Sequence, residues 1–164
     1  MEEVLVMERR NDVMAINSNY SWLSWLTTGS QSAVFNPNGS ERLLTVSYDD
    51  TVRVWNCAKA LEGEGEEMLR ISHNNMTGRF VSPFRPIWTP AGDGFLVGSM
   101  NKAFEIFSIE RKTKAERTVA FRHELLTATP ARNAIHRFQP LVAACTGSGR
   151  VHICQSSKDR AVHE

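Results

Sequence analysis

No apolar run in this 164-residue sequence approaches the roughly 18 to 20 residues that a membrane-spanning helix needs. The amino end, "MEEVLVMERR", carries acids where a secretory leader would carry bases. Cysteine is scarce. Cys57, Cys145 and Cys154 form no CxxC pair, and an odd count fits a reducing compartment better than a disulfide framework. The expectation is an intracellular chain with three ordinary thiols, in which the sequons at Asn38 and Asn75 serve as turn chemistry. Catalytic signatures are missing as well. His73, His123, His136, His152 and His163 show neither HxH nor HxxxH spacing, no glycine-rich phosphate loop occurs, and no nucleophile stands beside a base. No catalytic residue, metal ligand or cofactor is therefore assigned. One sign of charge does not dominate either: nineteen Lys and Arg against eighteen Asp and Glu leave a formal net charge of +1, so only the placement of charge can inform on partners.

What the sequence does contain is a repeat. Three stretches, "AVFNPNGSERLLTVSYDDTVRVWN" from Ala33, "PIWTPAGDGFLVGSMNKAFEIFS" from Pro86 and "HRFQPLVAACTGSGRVHICQ" from His136, share one order of parts. Each has a bulky residue followed by x-Pro, an apolar run, a small or polar turn, and an alternating strand. The bulky positions are Phe35, Trp88 and Phe138, spaced 53 and 50 residues apart, and Pro37, Pro90 and Pro140 keep that spacing. Runs such as "RLLTVS" and "TVRVWN", separated by a tight turn containing Asp49 and Asp50, read as short strands of a hairpin. The stretches "EMLRIS" (67–72) and "RTVAF" (117–121) supply a fourth strand per unit. Two adjacent carboxylates could instead share acid and base work, but the turn explains them without a reaction.

Four antiparallel strands at this period, with Trp55 closing the third, resemble the WD40 repeat of β-propellers. The expected fold is all-β: a partial WD40 propeller of about three four-stranded blades that cannot close a ring, since closure takes about seven. A non-repeat leader (1–30) would precede blades at about 31–72, 73–121 and 122–157, with a polar tail at 158–164. For the leader two readings stand side by side: Trp22 and Trp25 cover the first blade, or the segment is an unstructured or ill-packed lead-in. The resemblance makes Asp49 the turn aspartate between the second and third strands, with Ser47 as its hydroxyl partner, and Ser47, Asp49, Trp55 and Trp88 structural. The Gly-His pair of such repeats would fall at Trp25 and Leu26, so the polar relay around Trp55 is expected to be incomplete.

Propeller geometry sorts charges by face. Turns between second and third strands, and loops from a fourth strand to the next first strand, open on one face; the remaining turns open on the other. The first face then receives Arg79, Lys102, Arg132 and Arg150 on loop tips, against Asp49 and Asp50. The other receives the acidic run Glu62 to Glu67 and the bases Arg111, Lys112 and Lys114. Separated bases among Asn and Thr side chains suit backbone phosphates, which are held by charge-assisted hydrogen bonds from these residue types.

The segment "ISHNNMTGRFVSPFRPIWTPAGDGFLVGSM" (71–100) is more distinctive. Its His73, Asn74, Asn75, Thr77, Gly78, Arg79, Phe80, Phe84, Arg85, Trp88, Pro90, Gly98, Ser99 and Met100 resemble the WD repeat-containing protein 76 family. That family is allied to the small subunit of the DNA damage-binding complex, and the likeness runs over about 31–155, as its carboxyl-terminal blades. The resemblance implies a nuclear, non-enzymatic propeller that binds DNA, mostly through its phosphate backbone, in the response to damage. It further implies chromatin or cullin-4 ubiquitin ligase partners through the full propeller, and no membrane. His73, Asn74, Asn75, Thr77, Arg79, Lys102, Arg132 and Arg150 are the candidate DNA-binding residues. Departures matter: the Phe-Gln-His wedge of the allied subunit is replaced by Gly78, Arg79 and Phe80, and Phe80 is expected to pack beside Phe84. The ligase-docking box Trp-Asp-x-Arg is not matched, because Asn56, Cys57 and Ala58 follow Trp55. The basic cluster after Gly-Ser-Met is shortened to Asn101 and Lys102. Two alternatives stay open: a scaffold for protein partners, since a propeller hosts many functions, and an incomplete, non-functional fragment.

Overall fold

A computed structural model describes residues 9–10, 13–14, 29–58, 65–110 and 114–155. Among these there is no helix, and the strands follow the apolar and alternating runs of the sequence. The first four-stranded antiparallel sheet runs β3 (Ser30–Phe35), β4 (Arg42–Ser47), β5 (Thr51–Asn56) and β6 (Glu66–Ser72). The second comprises β7 (Ile87–Trp88), β8 (Gly94–Ser99), β9 (Ala103–Glu110) and β10 (Lys114–Phe121). The third has three strands, β11 (Pro130–Ile135), β12 (Leu141–Thr146) and β13 (Val151–Gln155), one fewer than expected. Two short strands, β1 (Arg9–Arg10) and β2 (Val13–Met14), pair with each other. Consecutive pairing within each sheet, with no closure, is the partial propeller that the repeat implies. Trp22, Trp25, Arg111, Lys112 and the first acids of the 62–67 run lie outside the described residues.

The sheets stack face to face, and β8 shows why. Its six residues, "GFLVGS", are all buried. Phe95 and Val97 join Leu44, Val46, Val52, Val54, Phe84, Trp88 and Phe107 between the first and second sheets. Leu96 points the opposite way and, with Phe104, meets Ala144, Ile135 and Val142 of the third. A strand with apolar residues on both faces belongs between two layers. Phe95 stacks on Phe107 with ring centroids 5.1 Å apart, and the Trp88 indole N–H donates to the Val34 carbonyl at 2.9 Å, tying the first strands of neighbouring sheets together. On the far face of the first sheet Trp55 packs on Leu43, and its indole N–H donates to the Thr45 hydroxyl at 2.9 Å. At Gly98 the second and third sheets approach closely: a β-carbon there would lie 1.9 Å from the Pro130 carbonyl oxygen.

The register corrects one part of the repeat. Phe35 lies opposite Leu43, Trp88 opposite Phe95, and Ile135 opposite Val142. Just beyond, the N–H groups of Asn36, Thr89 and His136 close their turns onto the carbonyls of Arg42, Gly94 and Leu141. The third-blade counterpart of Trp88 is therefore Ile135, three residues before Phe138. Phe138 and Pro140 sit in the turn after β11, and Phe138 is exposed. Matching on x-Pro misaligned them because proline falls two residues after Trp88 but five residues after Ile135, while the strand register is the same in both blades.

Candidate nucleic-acid interface

The β4–β5 turn sets one corner of the candidate face. Asp49 Oδ1 accepts from the Thr51 hydroxyl at 2.6 Å, and Oδ2 accepts from the Arg53 guanidinium. Burial works against the Asp49 charge, yet the Thr51 hydroxyl, the Arg53 guanidinium and the Ser47 hydroxyl outweigh it and hold the carboxyl below its ordinary value. Asp50 takes the left-handed conformation with φ 58°, which a tight turn tolerates in aspartate. Both carboxylates are thus occupied within the fold.

The loop from β6 to β7 (73–86) closes over that turn. The His73 N–H donates to the Asp50 carbonyl at 2.9 Å, and the Asn75 N–H to Asp50 Oδ1 at 2.7 Å. Asn75 is 0% exposed; its Nδ2 donates to the carbonyls of Ser47 at 2.8 Å and Thr51 at 2.9 Å, and its Oδ1 meets His73 Nδ1 at 2.7 Å. His73 lies edge-on to Phe84, with centroids 5.6 Å apart, and Thr77 is buried. The structure therefore corrects the expectation for His73, Asn75 and Thr77: all three are buried, the Asn75 side chain latches loop to hairpin, the His73 ring packs within the loop, and none is offered to a polyanion. Asn74 and Arg79 of the same loop are exposed. Phe80 is also corrected: Phe84 is fully buried, but Phe80 is 90% exposed at the loop tip.

The remaining bases divide by position. Lys102, in the left-handed conformation of the β8–β9 turn, and Arg150, at the end of the β12–β13 turn, are exposed. The 73–86 loop reaches that second turn, since a β-carbon at Gly147 would lie 3.7 Å from Val81 Cγ2. Arg132 is not on a loop tip. It lies in β11, half-buried, beyond a bulge between Pro130 and Arg132. Burial and the neighbouring Arg85 guanidinium lower its pKa. Two bases went unrecognised as site residues from the sequence. Arg85 is exposed two residues before β7, and Arg122 follows β10 and, with Asn101, Lys102, His123, Glu124, Leu126 and Thr127, lines an open depression of about 400 Å³. Among the described residues Arg53 and Arg70 form ion pairs with Asp49 and Glu67, whereas Arg79, Arg85, Lys102, Arg122, Arg132 and Arg150 form none. Turn and loop meet again in the third sheet, where the Gly147 N–H donates to the Thr129 carbonyl at 3.1 Å. The opposite ends of the sheets also interlock, with Asn36 Nδ2 donating to the Gly92 carbonyl at 2.9 Å and Asn38 Nδ2 to that of Ala91 at 3.2 Å.

Among known proteins, WD repeat-containing protein 76 of Xenopus laevis is 33% identical over 123 residues, covering 74% of this chain and 21% of the relative. The DNA damage-binding protein CMR1 of Chaetomium globosum is 32% identical over 120 residues, covering 65% and 22%. The Mus musculus WD repeat-containing protein 76 is 28% identical over 125 residues, covering 74% and 19%. The chain thus spans about a fifth of the length of these relatives. No family model matches it. A solved Bacteroides fragilis structure, of a protein named for 6-phosphogluconolactonase activity, superposes with a TM-score of 0.61 over 80% of this chain and 36% of that one. At 14% identity that likeness concerns the fold alone.

Proposed function

From its kinship with WD repeat-containing protein 76 and the fungal CMR1 proteins, we propose that this chain is a nuclear, DNA-binding WD-repeat segment of the damage response. It holds the phosphate backbone on the face of the β4–β5, β8–β9 and β12–β13 turns. The observation that carries this reading is the set of exposed bases on that face, Arg79, Lys102 and Arg150, which form no ion pairs while the nearby Asp49 and Asp50 are consumed in internal hydrogen bonds. The reading is one of binding without catalysis, since Asp49 and Asp50 are held in the turn by internal hydrogen bonds. Contacts to phosphates release counterions and carry little sequence information, so affinity should be insensitive to sequence and steeply dependent on salt.

Arg79→Glu tests it. Binding to unrelated duplexes should weaken alike, and the salt slope should flatten by about one unit, as expected for one lost phosphate contact. Arg137→Glu, in the β11–β12 turn at the opposite end of the third sheet, should do much less. Equal effects, or none, would sink the reading. A scaffold for protein partners, including chromatin or cullin-4 ligase components, is favoured by a different observation: β13, the outermost of the described strands in its sheet, has Val151 and Ile153 exposed at 64% and 74%. Partner binding that survives high salt would put that reading ahead.

A further inference from the structure

The corrected register places two arginines at one repeat position. Counting three residues back from Phe35, Trp88 and Ile135, which occupy matching sites opposite β4, β8 and β12, gives Ser32, Arg85 and Arg132. The bulge between Pro130 and Arg132 re-aims the start of β11, and the Arg85 N–H donates to the Ala131 carbonyl at 3.4 Å, so Arg85 is seated against the residue that precedes Arg132 across the boundary between the second and third sheets. Arg85 is exposed and Arg132 half-buried, and among the described residues neither has a carboxylate partner. Burial, and after it the Arg85 charge, both disfavour the Arg132 charge, so a nearby anion would favour it.

We propose that Arg85 and Arg132 form a two-arginine clamp for a single phosphate group, set where the first strands of neighbouring sheets meet. The planar guanidinium fork matches phosphate oxygens two at a time, which a lysine does not. A phosphodiester of DNA is the source that accords with the function proposed above, on which that assignment rests; a free polyphosphate would satisfy the same chemistry.

The test uses the 164-residue chain and two probes: a short labelled duplex, by fluorescence anisotropy, and inorganic tripolyphosphate, by calorimetry and thermal shift. Arg85→Gln and Arg132→Gln should each weaken duplex binding by about tenfold or more, the scale of one charge-assisted hydrogen bond. Because both side chains grip one phosphate, the double variant should be little weaker than either single one. Arg85→Lys should fall short of full affinity despite keeping the charge. Additive losses, or unchanged binding in both single variants, would overturn the clamp. Arg85 is exposed, so Arg85→Gln remains informative even if the Arg132 variant fails to fold. If Arg79→Glu weakens the duplex while the clamp variants do not, the clamp falls and the phosphate-binding face stands. If the unaltered chain ignores DNA but loses tripolyphosphate binding on either Gln substitution, the clamp stands as a free-phosphate site and the DNA reading falls.

Discussion

Asn75→Asp exchanges an amide NH2 for an oxygen and leaves the side-chain outline unchanged, so it isolates hydrogen bonding from packing. In the native chain that NH2 donates to the carbonyls of Ser47 and Thr51, both in the β4–β5 hairpin, from a fully buried position. The aspartate would aim an acceptor at two acceptors, strand both carbonyls and bury a charge beside them. Each stranded group costs about 1 to 3 kcal/mol, and breaking a buried polar arrangement from one side reaches roughly 3 to 5 kcal/mol in total. For a chain of this size the melting temperature should fall by about 10 °C or more. The sign of the pH dependence is also fixed. Burial raises the pKa of the new carboxyl, and its protonated form regains an O–H donor, so the defect should shrink as pH falls through that raised value. Thermal unfolding followed by circular dichroism at several pH values measures both effects. An unchanged melting temperature together with selective loss of DNA binding would refute the latch and return Asn75 to the binding surface.

Three further outcomes follow from the packing and the turn. Gly98→Ala should destabilise by about 1 to 3 kcal/mol or more, because its β-carbon meets the Pro130 carbonyl and cannot be accommodated by a side-chain shift; Gly39→Ala, with φ 76° but nothing within 4 Å, is the control for backbone strain alone, and equal melting temperatures would contradict the close approach. Trp55→Ala should cost about 3 to 5 kcal/mol in denaturant unfolding while leaving binding per folded molecule intact. Asp49 has a depressed folded pKa, so its contribution is present above the unfolded value and is lost as pH falls through the folded one, below the ordinary 3.8. Asp49→Asn should therefore flatten the acid limb of the stability profile; a limb unchanged from that of the native chain would show the carboxylate uninvolved.

Sequence by itself determined the elements whose signals are local. Continuous apolar runs placed β4 and β8, alternation placed β5, turn chemistry placed Asp49 and Asp50 at the hairpin, and chain connectivity put Arg79, Lys102 and Arg150 at one end of the sheets. The fates of loop residues were decided only by tertiary structure. In "HNNMTGR" the side chains alternate between buried and exposed without a strand's ladder, because the β4–β5 turn, some 25 residues earlier in the chain, folds against the loop and supplies the partners of Asn75. No local period encodes that pairing. Nor could spacing reveal that the third blade's turn is offset, that a bulge draws Arg132 into β11, or that Arg85 lies beside it. Those depend on how one sheet is seated on the next, where the 3.4 Å contact between Arg85 and Ala131 and the absence of a β-carbon at Gly98 set the distance of approach.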